Sequence, residues 1–118
     1  RLASLEGPGG IHRAVTQSRK AYPELKVEVE ADTLDDVREA AAAGADIILL
    51  DNMSEQMMRE AVELAGDRSM LEASGGITLE RVPRVAATGV HSISVGALTH
   101  SAEAVDIALD IYGDEMTQ

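Results

Sequence analysis

The sequence predicts an α/β fold with a parallel sheet, its βα units forming the second half of an α/β (TIM-like) barrel. Three observations carry this reading. Short β-prone segments alternate with segments of helical periodicity along the chain. Glycines recur where each helical segment should stop, at Gly44, Gly66 and Gly89. Ala43-Gly44-Ala45-Asp46-Ile47 is echoed by Thr88-Gly89-Val90-His91-Ser92, each a helix end, a glycine and a short link into a strand. Four clear strands in 118 residues make half of an eight-stranded barrel, whose usual length is roughly 250 residues.

The elements follow in order. Ile11 to Ala21 reads as a helix closed by Tyr22-Pro23. Lys26-Val27-Glu28-Val29-Glu30 alternates charged and apolar residues, which suits a strand. Thr33-Leu34-Asp35-Asp36 is a helix start with a capping hydroxyl; Leu34, Val37 and Ala41 then share a face up to Gly44. Ile47 to Leu50 is a continuous apolar run, as in a strand covered on both faces. Ser54 caps a helix through Ala65, and Met70-Leu71-Glu72-Ala73 reads as the next strand. Thr78 opens another helical segment, in which an interior Pro83 would cost about 3 kcal/mol or more, so the helix proper is expected to start near Val82. Ser92 to Val95 is a strand, and a helix is expected from Ser101 to Tyr112, with Val105, Ala108, Leu109 and Tyr112 on one face.

Composition narrows the function. The chain has no Cys, which excludes a disulfide framework and Cys-based zinc. Tyr22 and Tyr112 are its only aromatics, and the net charge is −11, so nucleic acid is a poor partner. No apolar run is long enough to span a bilayer, and the residues read as a soluble, cytoplasmic protein with no membrane partner. His12, His91 and His100 lack metal-ligand spacing, and His12 and His91 are expected at the surface.

In parallel α/β folds chemistry gathers where strands end. Glu30, Asp51-Asn52, Ser74-Gly75-Gly76 and Gly96-Ala97 occupy those positions, with His100 just beyond. A glycine pair alone is most often a tight turn. Two glycine-bearing βα loops in successive units instead form the phosphate grip expected late in a barrel, where backbone amides point at an anion. Glu30 and Asp51, one unit apart, can hold Mg²⁺ through oxygen or water, or accept hydrogen bonds from ribose hydroxyls. Alone, each reads more readily as a solvated strand-end acid. Glu28 shares the parity of Glu30 and needs a partner, for which Lys26 is the candidate; Glu72 is expected to be paired structurally. Met57-Met58 belongs to a helix face that fills core.

These runs carry a family resemblance. Glu28-Val29-Glu30, Asp46 to Met53, Leu71-Glu72-Ala73-Ser74-Gly75-Gly76-Ile77, Thr88-Gly89-Val90 and Ser94-Val95-Gly96-Ala97-Leu98-Thr99-His100-Ser101 resemble the quinolinate phosphoribosyltransferases, also called carboxylating nicotinate-nucleotide pyrophosphorylases. The order and spacing match through nearly all of residues 7 to 112. The resemblance implies an N-terminal α/β sandwich and a C-terminal barrel, in a homodimer or higher homo-oligomer whose sites are shared. The implied reaction converts quinolinate and 5-phosphoribosyl 1-diphosphate into nicotinate mononucleotide, diphosphate and CO₂, with Mg²⁺, in NAD biosynthesis. Carried over by motif, Glu30 and Asp51 would face the ribose hydroxyls and the metal. Ser74, Gly75 and Gly76 with Val95, Gly96 and Ala97 would hold the 5-phosphate, and His100 would lie beside the phosphoribosyl group.

Residues 1 to 6, Arg-Leu-Ala-Ser-Leu-Glu, do not show the family's Lys-Asp-Asn-His run. Residues 1–118 are therefore expected to be the C-terminal part of the barrel domain of a longer polypeptide, inactive alone for want of cations to bind a dicarboxylate. Two other functions share these features. Another phosphate-binding barrel enzyme would keep the glycine loops without using quinolinate. A non-enzymatic half-barrel would bind phosphate or assemble with a partner half.

Overall fold

The computed structural model describes residues 9–98 and 104–110, with side chains through residue 95. Helix α1 (Gly10–Ala21) precedes strand β1 (Glu28–Ala31), and α2 (Leu34–Ala43), β2 (Ile47–Asp51), α3 (Glu55–Ala65) and β3 (Met70–Ile77) follow. A 3₁₀ turn (Leu79–Arg81) leads into the short α4 (Val82–Ala86), then β4 (Ser92–Leu98) and β5 (Ala104–Asp110). The sheet order is β1-β2-β3-β4-β5; the first four strands are parallel and β5 runs antiparallel to β4.

The local signals act as anticipated. Thr33 accepts a hydrogen bond from the Asp36 amide at 3.1 Å, and Ser54 accepts one from the Met57 amide at 3.2 Å, so each helix start satisfies an otherwise orphaned donor. Pro83 sits in the first turn of α4, where its missing N–H costs nothing.

Two elements differ from expectation. The third strand runs on past Ala73 to Ile77. The helix expected from Ser101 to Tyr112 is instead strand β5 over Ala104–Asp110. That segment carries both periods: Val105, Ile107 and Leu109 alternate with Asp106, Ala108 and Asp110, a pattern a strand accepts as readily as a helix. Unpaired, β4 would expose a row of backbone donors and acceptors at the sheet edge, and the antiparallel partner satisfies them.

Register explains where the core sits. Val29 pairs with Ile48, Ile48 with Leu71, Leu50 with Ala73 and Ala73 with Ile93, and every one of these residues is fully or almost fully buried. This face is the one the helices cover: α2 packs on β1 and β2, α3 on β3, and α4 on β4. Met58, Val37, Ala40, Ala61 and Val85 complete that core. The opposite register rows, Glu30–Leu49–Glu72–Ser92 and Asp51–Ser74, are half-exposed. Sequential parallel strands with helices on one face are the singly wound arrangement of a barrel, not the two-sided cover of a doubly wound sheet.

Asp46 ties the start of this sheet together. Its carboxylate accepts from the Val27 amide at 2.7 Å and from Arg19 at 3.0 Å, while Arg19 also donates to the Gly44 carbonyl. The Val27 amide first, and then Arg19, hold the Asp46 carboxyl below the usual aspartate range against the opposing effect of burial. Because the folded-state value lies below the unfolded one, this contribution is complete above about pH 4 and is lost as pH falls toward the folded value. We expect Asp46→Asn to cost about 1–2 kcal/mol at neutral pH, the scale for hydrogen bonds to a half-exposed charge. Urea unfolding of both proteins from pH 7 to pH 2 checks this, since the difference between them should shrink below about pH 4.

Candidate functional site

The C-terminal strand ends bring several of the anticipated residues together. Glu30 in β1 pairs in register with Leu49, and Asp51 closes β2 two residues further on, so both acids lie on the helix-free face. Strand spacing and rise put their Cα atoms roughly 8 Å apart. Asp51 pairs with Ser74 of β3, and the Asn52 amide donates to the Ser74 carbonyl at 3.2 Å, extending the ladder one step.

Asn52 then turns the chain with φ of 56°, a left-handed conformation that Asn tolerates better than most residues. Across from it, Gly75 and Gly76 have φ of 89° and 73°. Ala73 pairs with Ile93 and Ile77 with Val95, so Ser74, Gly75 and Gly76 together oppose Ser94 alone. This is a bulge, which bends the strand and re-aims its backbone. It turns Gly75 onto the preceding strand end: a Cβ there would lie 2.6 Å from Asp51 Oδ1 and 2.7 Å from both the Asn52 nitrogen and its Oδ1. Only glycine fits. Gly76 faces open space instead.

Val95 is buried, and its backbone lies within the sheet, in register with Ile77 of β3 and Ile107 of β5. The backbone of Gly96 and Ala97 continues β4, paired in register with Asp106 and Val105. The sequence predicts a free loop there, but the strand persists through Leu98 because β5 lies alongside. His100 falls outside the described residues.

Glu72 and Glu28 differ in their partners. Glu72 accepts from the Ser92 hydroxyl at 3.0 Å, the structural pairing anticipated for it. No ion pair joins Lys26 to Glu28; Lys26 is exposed while Glu28 is half-buried on the helix-free face. Among the described residues no hydrogen bond engages the Asp51 carboxylate, and no group of three or more His, Asp or Glu side chains converges on a point.

His91 corrects a sequence expectation. It is half-buried, and its Nδ1 accepts from the Leu71 amide at 2.9 Å while its own amide donates to the Leu71 carbonyl at 2.9 Å. It thus extends the β3–β4 pairing at the strand starts. A depression of about 270 Å³ lies at that opposite edge, lined by Asp46, Arg68, Ser69, Met70 and His91 among others. In barrels this end serves stability, and the chemistry lies at the other.

One contact at the C-terminal edge has no local sequence signal. Arg81 in the 3₁₀ turn donates through Nε (3.0 Å) and Nη2 (2.9 Å) to Glu55 Oε2 in the first turn of α3. The Glu55 backbone amide first, then Arg81, hold the Glu55 carboxyl below the usual glutamate range. No helix among the described residues is long and apolar enough to cross a membrane.

Sequential parallel strands, helices on one face, and acids beside a glycine bulge at the C-terminal strand ends define a segment of an α/β barrel with its polar site on the usual rim. The family model for the quinolinate phosphoribosyl transferase C-terminal domain matches residues 4–110, and the chain belongs to that family. A protein of Methanothermobacter thermautotrophicus named as a probable nicotinate-nucleotide pyrophosphorylase (carboxylating) is 50% identical over 111 residues, covering 89% of this chain and 40% of that protein. The human nicotinate-nucleotide pyrophosphorylase (carboxylating) is 40% identical over 112 residues, covering 92% of this chain and 38% of its own. The solved nicotinate-nucleotide pyrophosphorylase of Francisella tularensis superposes with a TM-score of 0.73 at 42% identity, covering 85% of this chain and 37% of that one. The chain thus spans well under half the length of these relatives.

Proposed function

We propose that this chain forms the phosphoribosyl-handling rim of a quinolinate phosphoribosyltransferase, within a longer polypeptide. The observation that carries the reading is the family match over residues 4–110, together with Asp51 packed directly against the Gly75 bulge. In this reading quinolinate and 5-phosphoribosyl 1-diphosphate give nicotinate mononucleotide, diphosphate and CO₂. Ser74, Gly75 and Gly76, with Val95, Gly96 and Ala97, hold the 5-phosphate, and His100 lies beside the phosphoribosyl group. Glu30 and Asp51 take the ribose hydroxyls.

Departure of diphosphate leaves an oxocarbenium-like ribose, and fixed carboxylates beside a developing cation lower that barrier because they need no reorganisation. Two carboxylates on one face, one without a hydrogen bond among the described residues, also suit Mg²⁺, which keeps several waters and needs few protein ligands. When bound, the metal would neutralise charge on the leaving diphosphate. Glu30 and Asp51 would hold it, directly or through water.

Quinolinate brings two more negative charges, and the described rim offers them little. Arg81 is already engaged by Glu55, and the chain carries a net charge of −11. In this proposal the cations come from the remainder of the polypeptide or from the neighbouring subunit of a homodimer with shared sites, and the protein is cytoplasmic.

The test is formation of nicotinate mononucleotide from quinolinate and 5-phosphoribosyl 1-diphosphate by the polypeptide at the length of its relatives. Turnover accompanied by one CO₂ per nucleotide is the expected result. No turnover by a folded protein would favour another phosphate-binding barrel enzyme, or a half-barrel without catalysis.

A further inference from the structure

We propose that the Glu55–Arg81 ion pair is a positioning clamp that sets the distance between the Asp51 turn and the Gly75–Gly76 bulge, and thereby the fit for the 5-phosphoribosyl group. The inference rests on the function proposed above. It adds two residues that touch no substrate.

The chain order makes the pair a clamp. Glu55 stands four residues after Asp51, at the start of α3, and Ser54 fixes that start by accepting from the Met57 amide. Arg81 stands five residues after Gly76, in the 3₁₀ turn whose closing hydrogen bond runs from the Arg81 amide to the Thr78 carbonyl at 3.0 Å. Two N–H groups of the guanidinium, on Nε and Nη2, converge on one oxygen, Glu55 Oε2. The two side chains are 27% and 28% exposed, more sheltered than the Asp35–Arg38 pair on α2 at 91% and 61%.

Among the described residues the same two loops are also joined by the Asn52 amide on the Ser74 carbonyl and by the close approach of Gly75 to Asp51 and Asn52. Both of those lie on the strand side. The Glu55–Arg81 pair ties the outer, helix side of the same loops, so the Asp51 turn and the bulge are held from both sides. A phosphoribosyl group would span these loops, its hydroxyls on one and its phosphate on the other. Quinolinate need not touch either. The clamp should therefore act on one substrate only.

The experiment is a double-mutant cycle in the polypeptide at the length of its relatives: Glu55→Gln, Arg81→Gln and both together. Each single variant should raise KM for 5-phosphoribosyl 1-diphosphate about tenfold, within the penalty for ångström-scale misplacement of a binding group, and leave KM for quinolinate unchanged. The double variant should cost no more than either single one, because the pair acts as a unit. Arg84→Gln removes a neighbour 3.9 Å from the same carboxylate and 65% exposed, and should leave both constants unchanged. Faster hydrogen exchange across residues 74–81 in Glu55→Gln would show the loop loosened independently of activity.

An unchanged KM for 5-phosphoribosyl 1-diphosphate in a loosened variant would overturn the clamp. So would equal rises in both KM values with a lowered unfolding midpoint, the signature of a merely structural pair. Absence of turnover in the folded parent protein would overturn the reaction itself, and the clamp's role with it.

Discussion

Gly75→Val is expected to be the most damaging single substitution at this rim, lowering stability by about 2–6 kcal/mol and abolishing phosphoribosyl transfer. Two costs add. A β-branched residue at φ of 89° is held in a region L-residues avoid, worth about 1–3 kcal/mol. Its Cβ would also sit 2.6–2.7 Å from Asp51 Oδ1 and from the Asn52 nitrogen and Oδ1, and relieving such an overlap costs about 1–3 kcal/mol more. Relief requires the Asp51–Asn52 turn to move, so the damage reaches the carboxylate proposed to serve the ribose. Gly76→Ala is the matched control: φ is 73° but its Cβ would meet open space, leaving a cost of about 1–2 kcal/mol. Urea denaturation midpoints of the two variants check the contrast.

Asp51→Asn should separate chemistry from structure. Asparagine keeps the shape that packs against Gly75 and removes the charge. No hydrogen bond engages the carboxylate among the described residues, so stability should change by less than about 0.5 kcal/mol. Under the proposed function kcat/KM should fall by about 10²–10³, the scale for loss of one fixed electrostatic group at a developing charge. Glu72→Gln provides the comparison, since Glu72 shares the face but is engaged by Ser92. It should leave kcat/KM within about threefold.

What was legible in the sequence follows from what is local. Thr33 and Ser54 act within three residues, and Pro83 within one turn, so their signals survive without a structure. The segment Ala104–Asp110 was not legible, because its pattern fits two periods and the unpaired edge of β4 decides between them. The rim shows the same division. Glycines and acids at strand ends mark it in the sequence, and the left-handed turn at Asn52 has a signal in the Asp-Asn pair after an apolar run. That Gly75 touches Asp51 depends on β2–β3 register and a bulge, while Glu55 meets Arg81 across 26 residues. No periodicity encodes such contacts. His91 reads as a surface residue until the neighbouring strand supplies the Leu71 amide for its ring.

The central claim is that the C-terminal strand ends hold the phosphoribosyl group. A crystal structure of the polypeptide at the length of its relatives, with nicotinate mononucleotide bound, tests it most directly. The account predicts the 5-phosphate within hydrogen-bond distance of the Gly75–Gly76 and Gly96–Ala97 amides, and the ribose hydroxyls on Glu30 and Asp51. A nucleotide seated at the opposite edge, among Asp46, Ser69 and His91, would contradict it.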